Sequence, residues 1–327
     1  MTKLDELANH GQSIWYDFIR RDMVSDGGLA DLISRGVRGV TSNPSIFENA
    51  IADSTLYDDQ IAELGETSAQ DAFEALAVRD IVGAADLLRA VYDATDGVDG
   101  YISLEVSPRL AHDTAGTIAD AMRLWAVVDR PNLMVKVPAT KAGIPAIEEL
   151  TAAGININAT LMFSLDDYEA VANASLAGAR RASDPSTLAS VASFFVSRVD
   201  TYSDEALEAV GTDDALAMRG TIAIANAKVA YRRYQELFEG PGFADLATRG
   251  TRPQRVLWAS TSAKNPAYRD VVYVEELIGP NTVNTAPPST IDAFEDHGII
   301  TGDTLLEGMD DAAATIAALD QVGVDFG

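Results

Sequence analysis

Short apolar segments alternate with helical segments along the whole chain. Because strands that alternate with helices form parallel sheets, and eight such strands can close on themselves, the pattern predicts a (β/α)8 TIM barrel of the α/β class, with additional helices, as one domain over residues 1–327. No Gly-x-Gly-x-x-Gly motif follows a strand, which argues against an open dinucleotide-binding sheet. The predicted strands are residues 13–18 (SIWYDF), 37–43 (VRGVTSN), 100–106 (GYISLEV), 133–138 (LMVKVP), 155–161 (ININATL), 191–198 (VASFFVSR), 255–262 (RVLWASTS) and 281–287 (NTVNTAP).

Helix starts can also be predicted from the sequence. A helix over about 67–91 begins with a capping-box pattern from Thr67 to Gln70, and another begins where Ser164 is followed by Asp167 three residues later. Two connections are long enough to hold additional helices, residues 44–66 and residues 199–254.

Polar residues share one face on most of the predicted strands. Successive side chains of a strand point to opposite faces, so Lys136 lies opposite Leu133, Val135 and Val137. These polar residues fall towards the carboxyl ends of the strands, where barrel enzymes carry their active sites, and we therefore expect a polar site at the mouth of the barrel. The polar face carries Asp17, Thr41, Asn43, Ser103, Glu105, Asn156, Asn158, Thr160, Ser193, Ser197, Ser260 and Ser262, whereas Ile155, Ile157, Ala159 and Leu161 form the aliphatic face of the fifth strand.

Lys136 stands out because it interrupts a run that otherwise reads as a buried strand. A buried ammonium group costs several kcal/mol unless it is paired or loses its proton, so this lysine is either an exposed strand-edge residue or a group placed for chemistry. Its position on the polar face favours the second alternative. An amine in a dry pocket can attack a carbonyl and form a Schiff base, and carboxylates on neighbouring strands complete a class I aldolase-like site.

Composition excludes several other functions. The formal net charge of −26 argues against binding of nucleic acid or an anionic membrane, although a few placed cations could still bind a small anion. The absence of cysteine excludes disulfides and thiolate catalysis, and the scattered His10, His112 and His297 predict no metal site. A polar N-terminus and the lack of a membrane-spanning run predict a cytoplasmic protein.

Two segments carry a resemblance to a known family. GVTSNPSIF (39–47) and LMVKVPAT (133–140) resemble the two signature segments of transaldolases. The segment WAST, followed by a lysine, resembles the sequence of the transaldolase subgroup found in actinobacteria. The resemblance covers essentially the whole chain, because it continues in order through SLEVSP, GININATLMFS, SFFVSR, LWASTSAKNPAY and TVNTAPPST.

The resemblance implies a transferase of the pentose phosphate pathway that needs no cofactor. It would move a dihydroxyacetone unit from sedoheptulose 7-phosphate to glyceraldehyde 3-phosphate, giving erythrose 4-phosphate and fructose 6-phosphate. Lys136 matches the Schiff-base lysine, and Asp17 matches the acid/base that takes the proton of the C4 hydroxyl. Glu105 and Thr160 match the pair that holds a catalytic water. The matched substrate-binding residues are Asn43 and Asn158 for the dihydroxyacetone hydroxyls, Ser193 and Arg198 for phosphate, and Phe195 against the site.

The sequence departs from the family pattern in two places. Lys264 occupies the position of an arginine in "ASTSAKN", and either Ser260 or Ser262 is the accompanying serine. The chain also ends at "QVGVDFG", where relatives continue into a further helix, which suggests a truncated chain or a site that closes differently. The expected partners are sugar phosphates, and the expected state is a monomer or a homodimer.

Two other functions remain open at this stage. A Schiff-base aldolase would release free dihydroxyacetone to water, and this depends on how well water is kept from the enamine. A non-catalytic barrel module is the second alternative. The complete set of matching site residues argues against a decayed site, namely Asp17, Asn43, Glu105, Lys136, Asn158 and Thr160.

Overall fold

Eight parallel strands close into a barrel in the computed structural model, which describes residues 2–326. Each strand pairs with the next one along the chain, and β8 pairs with β1 to complete the cylinder. The predicted TIM barrel is confirmed, and every predicted strand segment overlaps one of the observed strands, three of which extend one residue beyond the predicted segment. The strands are β1 (Gln12–Tyr16), β2 (Gly39–Val40), β3 (Tyr101–Glu105), β4 (Leu133–Pro138), β5 (Ile157–Met162), β6 (Ser190–Phe195), β7 (Arg255–Ala259) and β8 (Thr282–Ala286).

Helices surround the barrel, and the two long connections hold the additional helices predicted for them. Within residues 2–326, no helix combines the length and the apolar character needed to cross a membrane. The α-helices are α1 (Lys3–Asn9), α2 (Arg21–Ser25), α3 (Gly28–Arg35), α4 (Pro44–Ala52), α5 (Asp58–Leu64), α6 (Ala69–Ala94), α7 (Thr114–Val128), α8 (Gly143–Ala152), α9 (Leu165–Arg181), α10 (Ser197–Val210), α11 (Asp213–Ala217), α12 (Ile222–Tyr234), α13 (Ala244–Thr248), α14 (Val272–Glu275), α15 (Pro288–His297) and α16 (Met309–Gln321). Short 3₁₀ segments span Pro108–Leu110, Pro185–Thr187, Pro241–Phe243 and Thr304–Leu306, and a π-helical turn spans Gln235–Glu239.

The core has two layers, as the alternation along the strands predicts. The outward side chains of β4, Leu133, Val135 and Val137, pack in the layer between the barrel and its helices. Met134, on the other face of the same strand, packs inside the barrel. Aliphatic and aromatic side chains thus fill the lower interior of the barrel: Trp15, Tyr101, Met134, Val191, Leu257 and Val283.

The amino-terminal end of the barrel is closed by a polar cluster around Asp99. This carboxylate accepts hydrogen bonds from Ser13 Oγ at 2.6 Å and Trp15 Nε1 at 3.2 Å. Arg255 Nη2 donates to it at 2.9 Å, and both partners of this ion pair are largely buried. In such barrels the amino-terminal end of the strands contributes to stability, and the carboxyl end carries the chemistry. This ion pair lies at the amino-terminal end.

Two sequence predictions need correction. The helix expected to begin with a box from Thr67 to Gln70 is capped one residue later, where Ser68 Oγ accepts from Asp71 N at 3.1 Å. Ser68 is the better cap because its partner three residues on is an acidic side chain, which is favourable at a helix N-terminus, and Ser68 Oγ also donates to the Asp71 carboxylate. The predicted cap of α9 is confirmed, since Ser164 Oγ accepts from Asp167 N at 3.1 Å.

Leu161 does not belong to the aliphatic face of β5. The pairing of β5 with β6 shifts register between Ala159 and Met162, so one residue is extra on β5. Leu161 takes a left-handed backbone conformation with φ of 65°, and its side chain is 41% exposed. Met162 fills the core position instead. The bulge therefore aims Leu161 at the carboxyl end of the barrel.

Candidate active site

The carboxyl ends of the strands surround a cavity of about 570 Å³. Its size suits a small, sugar-sized ligand. Eleven of the twelve predicted site residues line it: Asp17, Asn43, Glu105, Lys136, Thr160, Ser193, Phe195, Arg198, Ser260, Ser262 and Lys264. The twelfth, Asn158, lies below its floor and is fully buried.

Lys136 lies on the floor of the cavity with only 8% of its surface exposed. Its register partner on β3 is Glu105, and the distance from Lys136 Nζ to Glu105 Oε2 is 3.5 Å. Nζ also donates a hydrogen bond to the carbonyl oxygen of Ser42 at 3.2 Å. The exposed strand-edge alternative is thereby wrong: the lysine is buried, and its amine has partners on β3 and in the segment after β2.

Asp17 follows β1 and is held by a chain of hydroxyl groups. Thr41 Oγ1 donates to Asp17 Oδ1 at 2.6 Å, and Thr285 Oγ1 lies 2.6 Å from Thr41 Oγ1. Because the single proton of Thr41 is given to the carboxylate, Thr285 is the donor in the second contact. Sequence reasoning did not single out Thr285. The available signal was its position two residues after Val283, whose side chain also points into the barrel.

Asn43 combines a structural role with a place on the cavity wall. Its Oδ1 accepts from Ile46 N at 3.0 Å and so caps α4, which begins at Pro44. With the oxygen engaged in the cap, the amide hydrogens are what this side chain can offer to a ligand. The cap fixes the orientation of the amide group from which those hydrogens project.

Three polar side chains form a buried chain that runs from the cavity lining to below its floor. Ser193 Oγ donates to Asn158 Oδ1 at 2.7 Å, and Asn158 Nδ2 donates to Ser103 Oγ at 2.9 Å. Asn158 is the register partner of Lys136 on β5, so this chain braces the strand beside the lysine. The substrate and phosphate contacts expected of Asn158 and Ser193 stay predictions.

Thr160 differs from its neighbours because its hydroxyl is unpaired. Among residues 2–326 no hydrogen-bond partner lies near Thr160 Oγ1, although the atom is buried and the residue lines the cavity. An unsatisfied buried hydroxyl costs about 1–3 kcal/mol, so such a group normally binds water or a ligand. The water molecule expected between Thr160 and Glu105 stays a prediction.

Two cations lie at the rim of the cavity without carboxylate partners in the described part of the chain. Arg198 lies in the first turn of α10, and its guanidinium carbon is 5.1 Å from the ring centroid of Phe195. Lys264 Nζ donates to Ser262 Oγ at 2.6 Å. Unpaired cations at one rim of a cavity in so acidic a protein favour an anionic ligand group.

The two candidate serines of this rim have different partners. Ser260 Oγ lies 2.9 Å from Ser197 Oγ, and Ser260 has a left-handed backbone conformation with φ of 57°. Ser262 Oγ accepts a hydrogen bond from Lys264 Nζ, so its own hydroxyl hydrogen is available to a ligand. Within residues 2–326, no three His, Asp or Glu side chains lie close enough together to hold a metal ion.

Comparison with known proteins identifies the family. The family model described as transaldolase/fructose-6-phosphate aldolase matches residues 14–327. The chain belongs to this family. Transaldolases of Frankia alni and Thermobifida fusca are each 51% identical to it over 330 residues, which span 99% of this chain and 89% and 90% of theirs. The transaldolase of Thiobacillus denitrificans is 49% identical over 98% of this chain and 91% of its own.

The hydroxyls of this family member's site allow a stability test. Thr160→Val should change the free energy of unfolding by less than about 1 kcal/mol, because the hydroxyl has no partner within the protein. Thr41→Val should lower it by about 1.5–3 kcal/mol, since it removes a hydrogen bond to a carboxylate. Urea denaturation of both variants measures the difference. A Thr160→Val cost as large as that of Thr41→Val would contradict the idea that this hydroxyl serves a ligand.

Proposed function

We propose that this chain is a transaldolase that transfers a dihydroxyacetone unit from sedoheptulose 7-phosphate to glyceraldehyde 3-phosphate. One observation carries the proposal: the Lys136 amine lies on the floor of a sugar-sized cavity, 3.5 Å from Glu105, and Asp17 lines the same cavity. The name of the relatives supports it, because proteins about half identical over almost the whole chain are called transaldolases.

The first step is formation of a Schiff base. The ammonium of Lys136 must lose a proton before it attacks the C2 carbonyl of the ketose, and the Glu105 carboxylate is the acceptor within reach. The resulting carbinolamine loses its hydroxyl as water after protonation. A water molecule between Glu105 and Thr160 can deliver that proton, which gives the unpaired Thr160 hydroxyl a function.

Carbon–carbon cleavage requires a second carboxylate. Asp17 takes the proton of the C4 hydroxyl, the C3–C4 bond breaks, and its electron pair moves into the iminium to give an enamine on Lys136. The aldose phosphate leaves, and the enamine then attacks the aldehyde carbon of the acceptor while Asp17 returns the proton. The hydrogen bond from Thr41 holds the carboxylate in one orientation through both halves of the reaction.

The phosphate end of the substrate is assigned to the rim of the cavity. Arg198 and Lys264 supply positive charge, and Ser262 supplies a hydroxyl donor. Ser262 is preferred over Ser260, because the Ser260 hydroxyl is engaged with Ser197. Asn43 and Asn158 are assigned to the dihydroxyacetone hydroxyls, and Phe195 holds the Arg198 guanidinium by stacking. A cytoplasmic location and a monomeric or homodimeric state stay predictions.

Borohydride reduction in the presence of fructose 6-phosphate tests the Schiff base. We expect the mass of a reduced dihydroxyacetone unit on the peptide that contains Lys136, measured by mass spectrometry. Lys136→Arg should abolish labelling and turnover, because a guanidinium cannot act as the amine nucleophile. Lys141→Arg is the matched control, since Lys141 is exposed and lies outside the cavity lining. Labelling at Lys141, or an active enzyme without label, would refute the assignment.

A transfer assay separates the proposed activity from aldol cleavage. With fructose 6-phosphate and erythrose 4-phosphate together, a transaldolase forms sedoheptulose 7-phosphate and releases little free dihydroxyacetone. Release of dihydroxyacetone as the main product, at the same rate with or without acceptor, would identify an aldolase instead.

Replacement of the two carboxylates should impair different steps of the reaction. Asp17→Asn should still form the Schiff base but not cleave the sugar, so borohydride should trap the intact six-carbon ketose phosphate on Lys136. Glu105→Gln should trap dihydroxyacetone, but with imine formation slowed about 10²- to 10⁴-fold. Stopped-flow trapping followed by mass spectrometry distinguishes the two adducts. Near-normal turnover of Asp17→Asn would show that another group is the acid/base.

Lys264 tests the phosphate assignment. Lys264→Ala should weaken binding of phosphorylated ketoses roughly 10- to 150-fold, because a charge-assisted contact is worth about 1.5–3 kcal/mol. Lys264→Arg should retain much of the binding. Labelling of Lys136 by unphosphorylated dihydroxyacetone should hardly change. Equal losses for phosphorylated and unphosphorylated substrates would indicate that Lys264 supports the loop and does not contact phosphate.

A further inference from the structure

Two buried carboxylates lie on the helix that carries Arg198. Asp200 and Asp204 are one helical turn apart on α10, and they are 1% and 6% exposed. Both are outside the cavity lining, so the proposed chemistry does not use them. Buried carboxylates are retained only where hydrogen-bond donors compensate them, and the donors here come from the segments that pack beside α10.

The partners of Asp204 join three elements. Its Oδ1 accepts from Gly220 N at 2.9 Å, just before α12, and its Oδ2 accepts from the hydroxyl of Tyr268. Burial and the neighbouring Asp204 carboxylate raise the pKa of Tyr268. The tyrosine hydroxyl therefore keeps its proton and remains the donor in this contact.

Tyr268 belongs to the irregular loop of residues 260–271, which also carries Ser262 and Lys264. The amino-terminal end of the loop is tied to the barrel by Thr261 Oγ1, which donates to the carbonyl oxygen of Thr285 at 2.9 Å, and to the first residue of α10 by Ser260, whose Oγ lies 2.9 Å from Ser197 Oγ. The far end is tied by Arg269, which pairs with Glu275. Between these two ends, the hydrogen bond that joins the loop to another element of residues 2–326 is the one from Tyr268 to Asp204.

Gly220 makes the contact of the tyrosine ring possible. Its φ is 73°, in the left-handed region, and a Cβ atom at this position would lie 2.8 Å from Tyr268 Cζ. The ring therefore packs directly on the backbone of Gly220 while the hydroxyl reaches Asp204. Both contacts fix the position of Tyr268 relative to α10.

We propose that Tyr268 is a positioning residue for phosphate binding. Its hydrogen bond to Asp204 holds the loop against the helix that carries Arg198, and so keeps Ser262 and Lys264 facing that guanidinium across the rim of the cavity. The inference rests on the proposed function, because the position of Lys264 matters to catalysis only if this rim binds the substrate phosphate.

Tyr268→Phe removes the hydroxyl and keeps the ring. We expect the KM for fructose 6-phosphate to rise roughly 3- to 10-fold with kcat within about twofold, and the inhibition constant of inorganic phosphate to rise by the same factor. Labelling of Lys136 by unphosphorylated dihydroxyacetone and borohydride should not change. A residue that only stabilised the fold would alter the unfolding midpoint without this separation of KM from kcat.

Two further variants sharpen the test. In a Lys264→Ala background, Tyr268→Phe should raise the KM by a smaller factor than it does alone, because one of the two residues it positions is gone. Tyr273→Phe is the matched control: it removes a tyrosine hydroxyl that donates to Asp200 on the same helix at 2.7 Å, but from α14, beyond the loop. It should lower stability and leave the KM unchanged.

The outcomes separate this inference from the function on which it rests. If the unmodified protein is labelled at Lys136 and active, but Tyr268→Phe leaves the KM and the phosphate inhibition constant unchanged, the positioning role is wrong and the proposed function stands. Full additivity with Lys264→Ala, or an equal rise in KM for Tyr273→Phe, would overturn it in the same way. If the unmodified protein is not labelled at all, both proposals fail together.

Discussion

The buried ammonium of Lys136 is the interaction on which the rest of the site depends. A charge at this depth is tolerated only with partners, and removing one partner of a buried pair costs about 3–5 kcal/mol. The partners come from two other strands: Glu105 is fixed opposite the lysine by the register of β3 with β4, and the Ser42 carbonyl follows the short β2. Strand pairing sets the positions of both partners. The pairing that closes the barrel therefore also places the groups that surround the lysine.

Hydrogen bonding divides the polar residues of the barrel mouth into two groups. Asp17, Asn43 and Asn158 have protein partners that fix the orientation of their side chains. Thr160 and Arg198, by contrast, present a hydroxyl and a guanidinium without hydrogen-bond partners in residues 2–326. The side chains of the first group are held in fixed orientations. Those of the second group have hydrogen-bonding atoms that are free to bind water or a ligand. This arrangement reduces the reorganisation needed when a substrate enters.

Strand alternation made most of the barrel and its polar face predictable, because a closed barrel assigns every second side chain to one interior. The failures have local or distant causes. The bulge at Leu161 is a backbone conformation that leaves no mark in the alternation, and the cap of α6 was misassigned because Thr67 and Ser68 are adjacent hydroxyls. The pairing of Asp204 with Tyr268 joins residues 64 positions apart, and neither side chain lies on a strand. Such a contact arises from the packing of the folded chain and leaves no periodic pattern in the sequence.

The acidity of the chain bears on the two cations at the rim of the cavity, Arg198 and Lys264. The chain has 50 acidic and 24 basic residues, so a lysine or arginine has many carboxylates with which it can pair. A cation that is to bind phosphate must remain free of such pairs. The guanidinium carbon of Arg198 lies 5.1 Å from the ring centroid of Phe195, whereas the hydrogen-bond partner of the Lys264 ammonium in residues 2–326 is the neighbouring Ser262 hydroxyl. A guanidinium imposes a planar, two-pronged geometry on phosphate, but an ammonium acts as a point charge whose effect depends on distance. With a lysine at this position, the backbone that carries Lys264 must set the position of its ammonium group. The loop of residues 260–271 has little regular structure of its own to fix that backbone.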